Sequence, residues 1–468
     1  MFDEVMKRFE QQAPVCVMAR LALQRAIAPQ WVDEVFAEHR QRQYPRELLF
    51  STVVELMTLV SLGLSPSLHA AATQTKHLPV SLAALYEKVN RTEPAILRAL
   101  VQGSAQRLEP VLAAWPCQTS LPGWRVRVLD GNHLPASEKR LSALREQRGA
   151  ALPGHALVVY EPDLGLVTDL IAVEDAHAQE RSAMAPLLEC AGPGELWLAD
   201  RNFCTSTILQ GWHQAQASFI VREHGRNSPT LASSGPWLEA GRIETGQVRE
   251  QRIELKSGLQ GWRRIELQLD QPTEAGDTVI RLWSNLPAAV GAHEIARLYR
   301  KRWRIEGMFQ RLESVMHSEI RTLGHPRAAL LGFTVAVLAY NVLAMLKRSV
   351  EAAHAAADET RSPPPEVSTY YLAVQIRRQY EGMLIALPPD EWSRWSDATP
   401  DVIARKLLEL ARGVDPGQVR IRTRGPKTRK PAPYVEGAIA RVPITVPLAC
   451  LNALKAAHLD QDLERADF

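Results

Sequence analysis

The stretch LYRKRWRIEGMFQRLES, Leu298 to Ser314, sets Arg300, Lys301, Arg302, Arg304 and Arg311 around one acid, Glu306, with a second, Glu313, further on. Read as one continuous helix at about 100° per residue, Tyr299, Arg302, Glu306 and Glu313 fall within roughly 60° of one another, away from the other four cations. Glu306 then has two readings. It is the ion-pair partner of Arg302 four residues earlier, worth about a few tenths of a kcal/mol when exposed. Alternatively it holds a divalent cation while the neighbouring cations hold phosphates. Mg²⁺ takes a few carboxylate oxygens together with water and substrate phosphate oxygens. Two such ions about 4 Å apart can activate a water or hydroxyl and stabilise the leaving oxygen of an in-line displacement. Such a site needs further acids, and Asp130 and Asp200 stand at the ends of short apolar runs.

Those runs read as strands. In WRVRVLDGNHLP, Trp124 to Pro135, apolar and basic residues alternate until Asp130 and a glycine, a strand that carries Asp130 at its tip. HALVVYEPDLGLVTDLIAV, His155 to Val173, gives two β runs around the turn Pro162-Asp163-Leu164-Gly165. A helix is expected over QERSAMAPLLECA, then a short strand, Leu196 to Ala199, that ends on Asp200 and passes into another helix. Strand, hairpin, helix and strand, with an acid closing the first and last strands, predict a mixed α/β core. From about 219 to 287 the alternation in QVREQRIEL, WRRIELQL and TVIRLWSNL predicts a β-rich insertion ahead of the basic helix.

Residues 1–118 read as a helical domain, from the apolar spacing of ELLFSTVVELMTLVSLGL and SLAALYEKVN and from a helix start with Thr92 as N-cap and Pro94 just inside. The catalytic part is expected over 119–350, interrupted by the insertion, and a helical C-terminal region over 351–468. That region opens with a breaker, SPPPE, and contains the segment 419–434, VRIRTRGPKTRKPAPY, with Arg420, Arg422, Arg424, Lys427, Arg429 and Lys430 and no acid. Its cations suit nonspecific phosphate contact. Ala328 to Leu346 is long and uncharged enough to span a membrane. Thr334, Tyr340 and Asn341 within it, and the basic region before it, favour a buried core helix.

At 468 residues the chain exceeds what one hydrophobic core usually organises, so one large interrupted domain or several smaller units are expected. A net charge of +3, with 46% hydrophobic and 23% charged residues, suits a globular protein and identifies no partner. Five scattered cysteines without CxxC or Cys/His spacing suggest neither a disulfide framework nor a zinc site, and fit the cytoplasm. His133, three residues after Asp130, likewise has no partner at metal-ligand spacing. The first residues carry acids and lack the apolar run of a secretory signal.

In order and context, LDGNHLP, LADRNF and YRKRWRIE resemble the three acidic motifs of DDE transposases, specifically the insertion-sequence-4 family. That family's third motif runs Tyr, two residues, Arg, three residues, Glu, six residues, Lys. Tyr299, Arg302 and Glu306 match at those spacings, and Glu313 stands where the Lys would be. The resemblance covers about residues 40 to 435. It implies a ribonuclease-H-like mixed sheet core with a β-rich insertion, flanked by helical N- and C-terminal parts. It also implies two Mg²⁺ ions, or Mn²⁺ in their place, held by Asp130, Asp200 and Glu306. The implied partners are double-stranded DNA, as the terminal inverted repeats of a transposon and as target, and a second copy of the chain bound on that DNA. Tyr299 and Arg302 would bind DNA backbone near the acids, with Arg300, Lys301 and Arg304 as further cations. Trp303 either stacks on an unstacked base or packs, and Trp283 has the same two readings. No membrane is implied. A glycosidase using two carboxylates would leave Arg302 beside Glu306, and the basic segment, unexplained.

Overall fold

The computed structural model describes all residues except 1, 44–46, 76–77, 135–153, 176–177, 226–227, 274–275, 319, 321–322, 356–365, 394, 396–397 and 422–468. The N-terminal part is helical as expected: α1 (Phe2–Gln12), α2 (Pro14–Ala26), α3 (Pro29–His39), α4 (Phe50–Ser61), α5 (Leu68–Gln74), α6 (Leu82–Arg91) and α7 (Pro94–Ala113). The start of α7 departs from expectation. Its N-cap is Glu93, because the Thr92 hydroxyl turns back onto the Lys88 carbonyl at the end of α6. Glu93 accepts instead from Arg42 N and Gln43 Nε2, both at 3.1 Å.

The strands are β1 (Arg125–His133), β2 (His155–Glu161), β3 (Leu166–Val173), β4 (Glu195–Ala199), β5 (Ser218–Arg222), β6 (Leu231–Ser234), β7 (Leu238–Ile243), β8 (Gly246–Leu255), β9 (Trp262–Leu269) and β10 (Val279–Ser284). They form one sheet in the order β3-β2-β1-β4-β5-β10-β9-β8-β6, with β7 also on β8. The β1, β2 and β3 strands pair antiparallel, and β4 and β5 join parallel to β1. This is the mixed α/β core expected from the sequence. The β-rich stretch continues the sheet: β10 pairs antiparallel with β5, and β9, β8, β7 and β6 follow. A 3-10 turn (Glu180–Ala183) and the short α8 (Ala185–Glu189) follow β3. A 3-10 turn (Arg201–Phe203) and α9 (Ser206–Gln214) follow β4.

After the sheet come α10 (Ala292–Arg300), α11 (Trp303–Ser314), α12 (Pro326–Ala355), α13 (Thr369–Ala386), α14 (Asp390–Ser393), α15 (Pro400–Arg412) and α16 (Pro416–Val419). The apolar window of α12 is long enough to cross a membrane but is wholly buried in the fold, packed by α2, α4, α6, α7, α13, α15 and β3. Its buried Asn341 has a definite task. The side chain accepts from Val167 N at 2.9 Å and donates to Val167 O at 2.8 Å, pairing both backbone groups that the edge strand β3 leaves open there. Arg98 of α7 grips the same strand through both Asp169 oxygens, at 2.9 and 2.8 Å.

Period-two alternation places the core on both faces of the sheet. Val126, Val128, Leu196 and Leu198 join the large helical core, while Leu129, Trp197 and Ala199 join a smaller core with Phe203, Leu209 and Trp212. Trp283 belongs to that smaller core, 1% exposed and edge-on to Trp262, so its role is packing. Of the basic segment 419–434, Arg420 is bridged to Val367, and 422–434 lie outside the described residues.

Candidate active site

The alternation that builds the core also aims two acids. The next residue after Val126 and Val128 on the same face of β1 is Asp130, and the next in step after Leu196 and Leu198 of β4 is Asp200, just past the strand's end. The parallel pairing of these strands runs to Leu129 opposite Ala199, so the two acids follow side by side where that ladder stops. Asp130 does not sit at a strand tip as expected from the sequence. Its strand continues to His133 against β2, because antiparallel pairing there outlasts the parallel pairing to β4.

Glu306 arrives from above this face on α11, which buries Ile305, Met308 and Leu312 in the helical core. The expected single helix from Leu298 to Ser314 is two helices. Between α10 and α11 the amides of Lys301, Arg302, Arg304 and Ile305 bond three residues back, to Leu298, Tyr299, Lys301 and Arg302. This tighter turn still sets Arg302 beside both acids. Arg302 Nη1 donates to Asp130 Oδ2 at 3.0 Å and Nη2 to Glu306 Oε1 at 2.9 Å. One guanidinium therefore joins a strand acid to the helix acid, where the sequence offered only the bond to Glu306. The rings of Tyr299 and Trp303 flank it, with centroids 6.0 and 5.6 Å from its central carbon.

The remaining sequence-selected side chains divide by exposure and partner. Tyr299 is buried in the core and its hydroxyl is pushed up to about 12, chiefly by that burial. Trp303 is 57% exposed at the rim. Arg300 donates to Glu244 of the β7–β8 turn at 2.9 Å, and Lys301 Nζ donates to Ser120 Oγ at 2.7 Å. Arg304 and Glu313 are exposed.

A carboxylate absent from the sequence reading completes the surroundings. Glu180 accepts from Asn202 Nδ2 at 2.7 Å, and the Asn202 backbone N–H donates to Asp200 Oδ1 at 2.8 Å. Asp200 thus caps the 3-10 turn that begins at Arg201 while Glu180 steadies the same turn. Glu180 also lies over Gly131, where any side chain would strike its carboxyl group. Gly131 was the one available signal. A glycine following an acid reads as a turn, yet here it stands within β1 to admit Glu180.

Burial pushes the Asp130 carboxyl up to about 7, and the nearby Asp200 and Glu180 carboxylates add to this, against Arg302 and the Gly131 N–H. A carboxyl raised in the folded state binds a proton there that the unfolded chain has released. Its contribution to stability is full below about pH 4, the ordinary value of 3.8, and is lost as pH rises to about 7. Chemical denaturation of cation-free protein should therefore show stability falling between pH 4 and 7, with Asp130→Asn flatter over that window.

Among the described residues, no three His, Cys, Asp or Glu side chains gather closely enough to cage a metal ion as they stand. Between Asp130 and Glu306 the positive charge is supplied by Arg302.

Residues 123–342 match the transposase DDE domain. The matched DDE segment contains the whole sheet, α8 to α11 and all three acids, and runs into α12 as far as Val342. The chain is also similar to the piggyBac transposase in its synaptic complex with hairpin DNA, at 9% identity over 86% of each chain and a TM-score of 0.35. No curated protein matches it.

Proposed function

We propose that the protein is a DDE transposase of the insertion-sequence-4 type, which cuts DNA at transposon ends and joins the freed 3′-hydroxyl to target DNA. What carries the reading is the shared face of Asp130 and Asp200 at the end of the β1–β4 ladder, with Glu306 tied to Asp130 through Arg302, inside a segment that matches the transposase DDE domain. The donors are all hard oxygens, and the raised Asp130 carboxyl marks a place where added positive charge is favourable, so the set fits Mg²⁺ or Mn²⁺. Asp130, Asp200 and Glu306 would hold such ions, which supply an activated oxygen nucleophile and stabilise the leaving oxygen.

The chain's own residues then have distinct tasks. Tyr299 positions Arg302 through its buried ring, and Arg302 moves from bridging acids to meeting the DNA backbone once cations arrive. Trp303, exposed at the rim, stacks on a base at the opened DNA end. Arg304 contacts phosphate, while Arg300 and Lys301 reach DNA only by leaving Glu244 and Ser120. Two copies acting on paired ends, in the cytoplasm, complete the proposal. So do a helical domain over 1–118, a catalytic part over 119–350 and a C-terminal region over 351–468.

The test is incubation with linear DNA carrying the element's own terminal repeats, with Mg²⁺, Mn²⁺ or chelator, followed by separation of cut and joined products. Cutting and joining that both require the cation support the proposal. Cutting without joining makes the protein a related nuclease, and binding without cutting makes it a catalytically silent DNA-binding descendant. In the same assay Gly131→Ala should slow cutting by about 10- to 100-fold, the usual effect of disturbing a group that orients metal ligands. The new methyl group evicts Glu180 from Asn202, and thermal melting should change little, since what it displaces is the far end of a flexible side chain.

A further inference from the structure

On its other side, α11 borders a cavity of about 440 Å³ that the acids do not enter. Arg304 and Arg311 line it from α11 and Lys347 and Arg348 from α12, with the β2–β3 turn as the third wall. Arg304, Gly307 and Arg311 follow the i, i+3, i+7 stripe, so they share one face of α11, about 200° around the axis from Glu306 at the Arg304 end. The Arg311 guanidinium lies back along the helix beside Gly307, which has no side chain to hold it off, and also meets the buried Tyr340 hydroxyl.

The acids in this lining are already engaged. Glu351 and Glu366 lie on Lys347, at 3.6 and 3.2 Å, and Asp163 accepts from Ser120 N at 2.7 Å and from the Ser120 hydroxyl. The arginines are not: among the described residues none of Arg304, Arg311 and Arg348 has a carboxylate partner, and Arg348 donates to the Pro116 carbonyl. Three guanidinium groups without a direct carboxylate contact, in a lining of four cations and three acids, suit a phosphodiester, which arginine binds through paired N–H groups.

We infer that this cavity seats a backbone phosphate of the DNA strand whose scissile bond lies at the acids, held by Arg304, Arg311 and Arg348. The inference rests on the proposed function for its choice of DNA as the polyanion. It also gives α11 two working faces, one for the reacting phosphate and one for a neighbouring phosphate. The strand is then gripped on both sides of the helix that carries Glu306. It supplies, too, a source of positive charge on a helix where Glu313 stands in place of the resembled family's lysine.

The experiment is fluorescence anisotropy of a short duplex with the full-length protein in chelator, over a series of salt concentrations. It compares wild type, Arg304→Gln, the Arg304→Gln/Arg311→Gln double variant, Arg348→Gln and, as a control, Arg412→Gln, an exposed arginine of α15 outside the cavity lining. Each cavity arginine replaced should weaken binding and reduce the slope of log affinity against log salt by about 0.9 for every phosphate no longer neutralised, while Arg412→Gln keeps the wild-type slope. Arg304→Gln alters an exposed side chain, so its shift is readable even where the double variant folds poorly. Unchanged slopes in the cavity-arginine variants overturn the inference, as does a wild type without measurable affinity for the duplex. So does competition by polyglutamate as effective as DNA at equal charge, which would make the cavity a general anion or acidic-protein surface. Because chelator removes cation chemistry, the two readings fail separately. Shifted slopes without cation-dependent cutting leave the phosphate seat standing, and cutting with unshifted slopes leaves the transposase proposal standing.

Discussion

Asp200→Asn and Glu306→Gln are each expected to lower cation-dependent DNA cutting by more than about 100-fold, beyond what loss of a group behind the metal ligands does, with melting temperatures close to wild type. The neutral isosteres separate charge from structure. Asp200 caps the turn at Arg201 by accepting from Asn202 N, and asparagine caps as well as aspartate does, so the turn survives while the negative charge is lost. Glu306 has a side chain 42% exposed, and its bond to Arg302 four residues earlier is worth about 0–1 kcal/mol, part of which the glutamine oxygen retains. Parallel measurements of cutting rate and thermal melting decide the matter. Melting that falls in step with activity in both variants would reduce the two acids to a cap and a surface ion pair.

The two strand acids were legible because the sheet's alternation is written into the sequence. Valine, any residue, valine, any residue, aspartate on β1 has a counterpart of leucines and aspartate on β4, and equal parity means an equal face. The third acid was legible as a helix position, since Ile305, Met308 and Leu312 fix which side of α11 is buried. The break before α11 was not legible. Leu298 to Ser314 contains no proline, and its one glycine, Gly307, lies inside α11, so nothing local marks Lys301 and Arg302 as a turn. Around that turn Arg300 is tied to Glu244, Lys301 to Ser120 and Arg302 to Asp130, partners distant in sequence that local propensity cannot register. Glu180 was hidden for a similar reason. Its meaning depends on Gly131 and Asn202, brought to it by the strand order, whereas its own neighbours Gln179 and Arg181 carry no pattern. For α12, hydropathy alone could not separate a core helix from a span. The buried Asn341, paired to both backbone groups of Val167, gives the physical reason for a polar residue in the middle of an apolar helix.

Arg302→Ala should destabilise the cation-free protein by about 3 kcal/mol at pH 8, the lower end of the usual cost of removing one partner from a buried ion pair. The Arg302 side chain is 11% exposed and that of Asp130 20%, so the abandoned carboxylate has little water to turn to and keeps Asp200 and Glu180 as like-charged neighbours. The same electrostatics governs the response to pH and to cations. At pH 5 Asp130 takes up a proton, its carboxyl being raised to about 7 even with Arg302 present, so the penalty should shrink at the lower pH. Millimolar Mg²⁺ at pH 8 should restore part of the loss in Arg302→Ala and add less to wild type, because an incoming cation takes over the role the guanidinium had. Arg302→Lys should fall between the two, since one ammonium cannot span Asp130 and Glu306 as the planar fork does. Urea denaturation at the two pH values, with and without Mg²⁺, measures all of these. A variant as stable as wild type at pH 8 without cation would mean that Asp130 is already protonated or solvated there. The view of Arg302 as the charge that stands in for a metal between the acids would then fall.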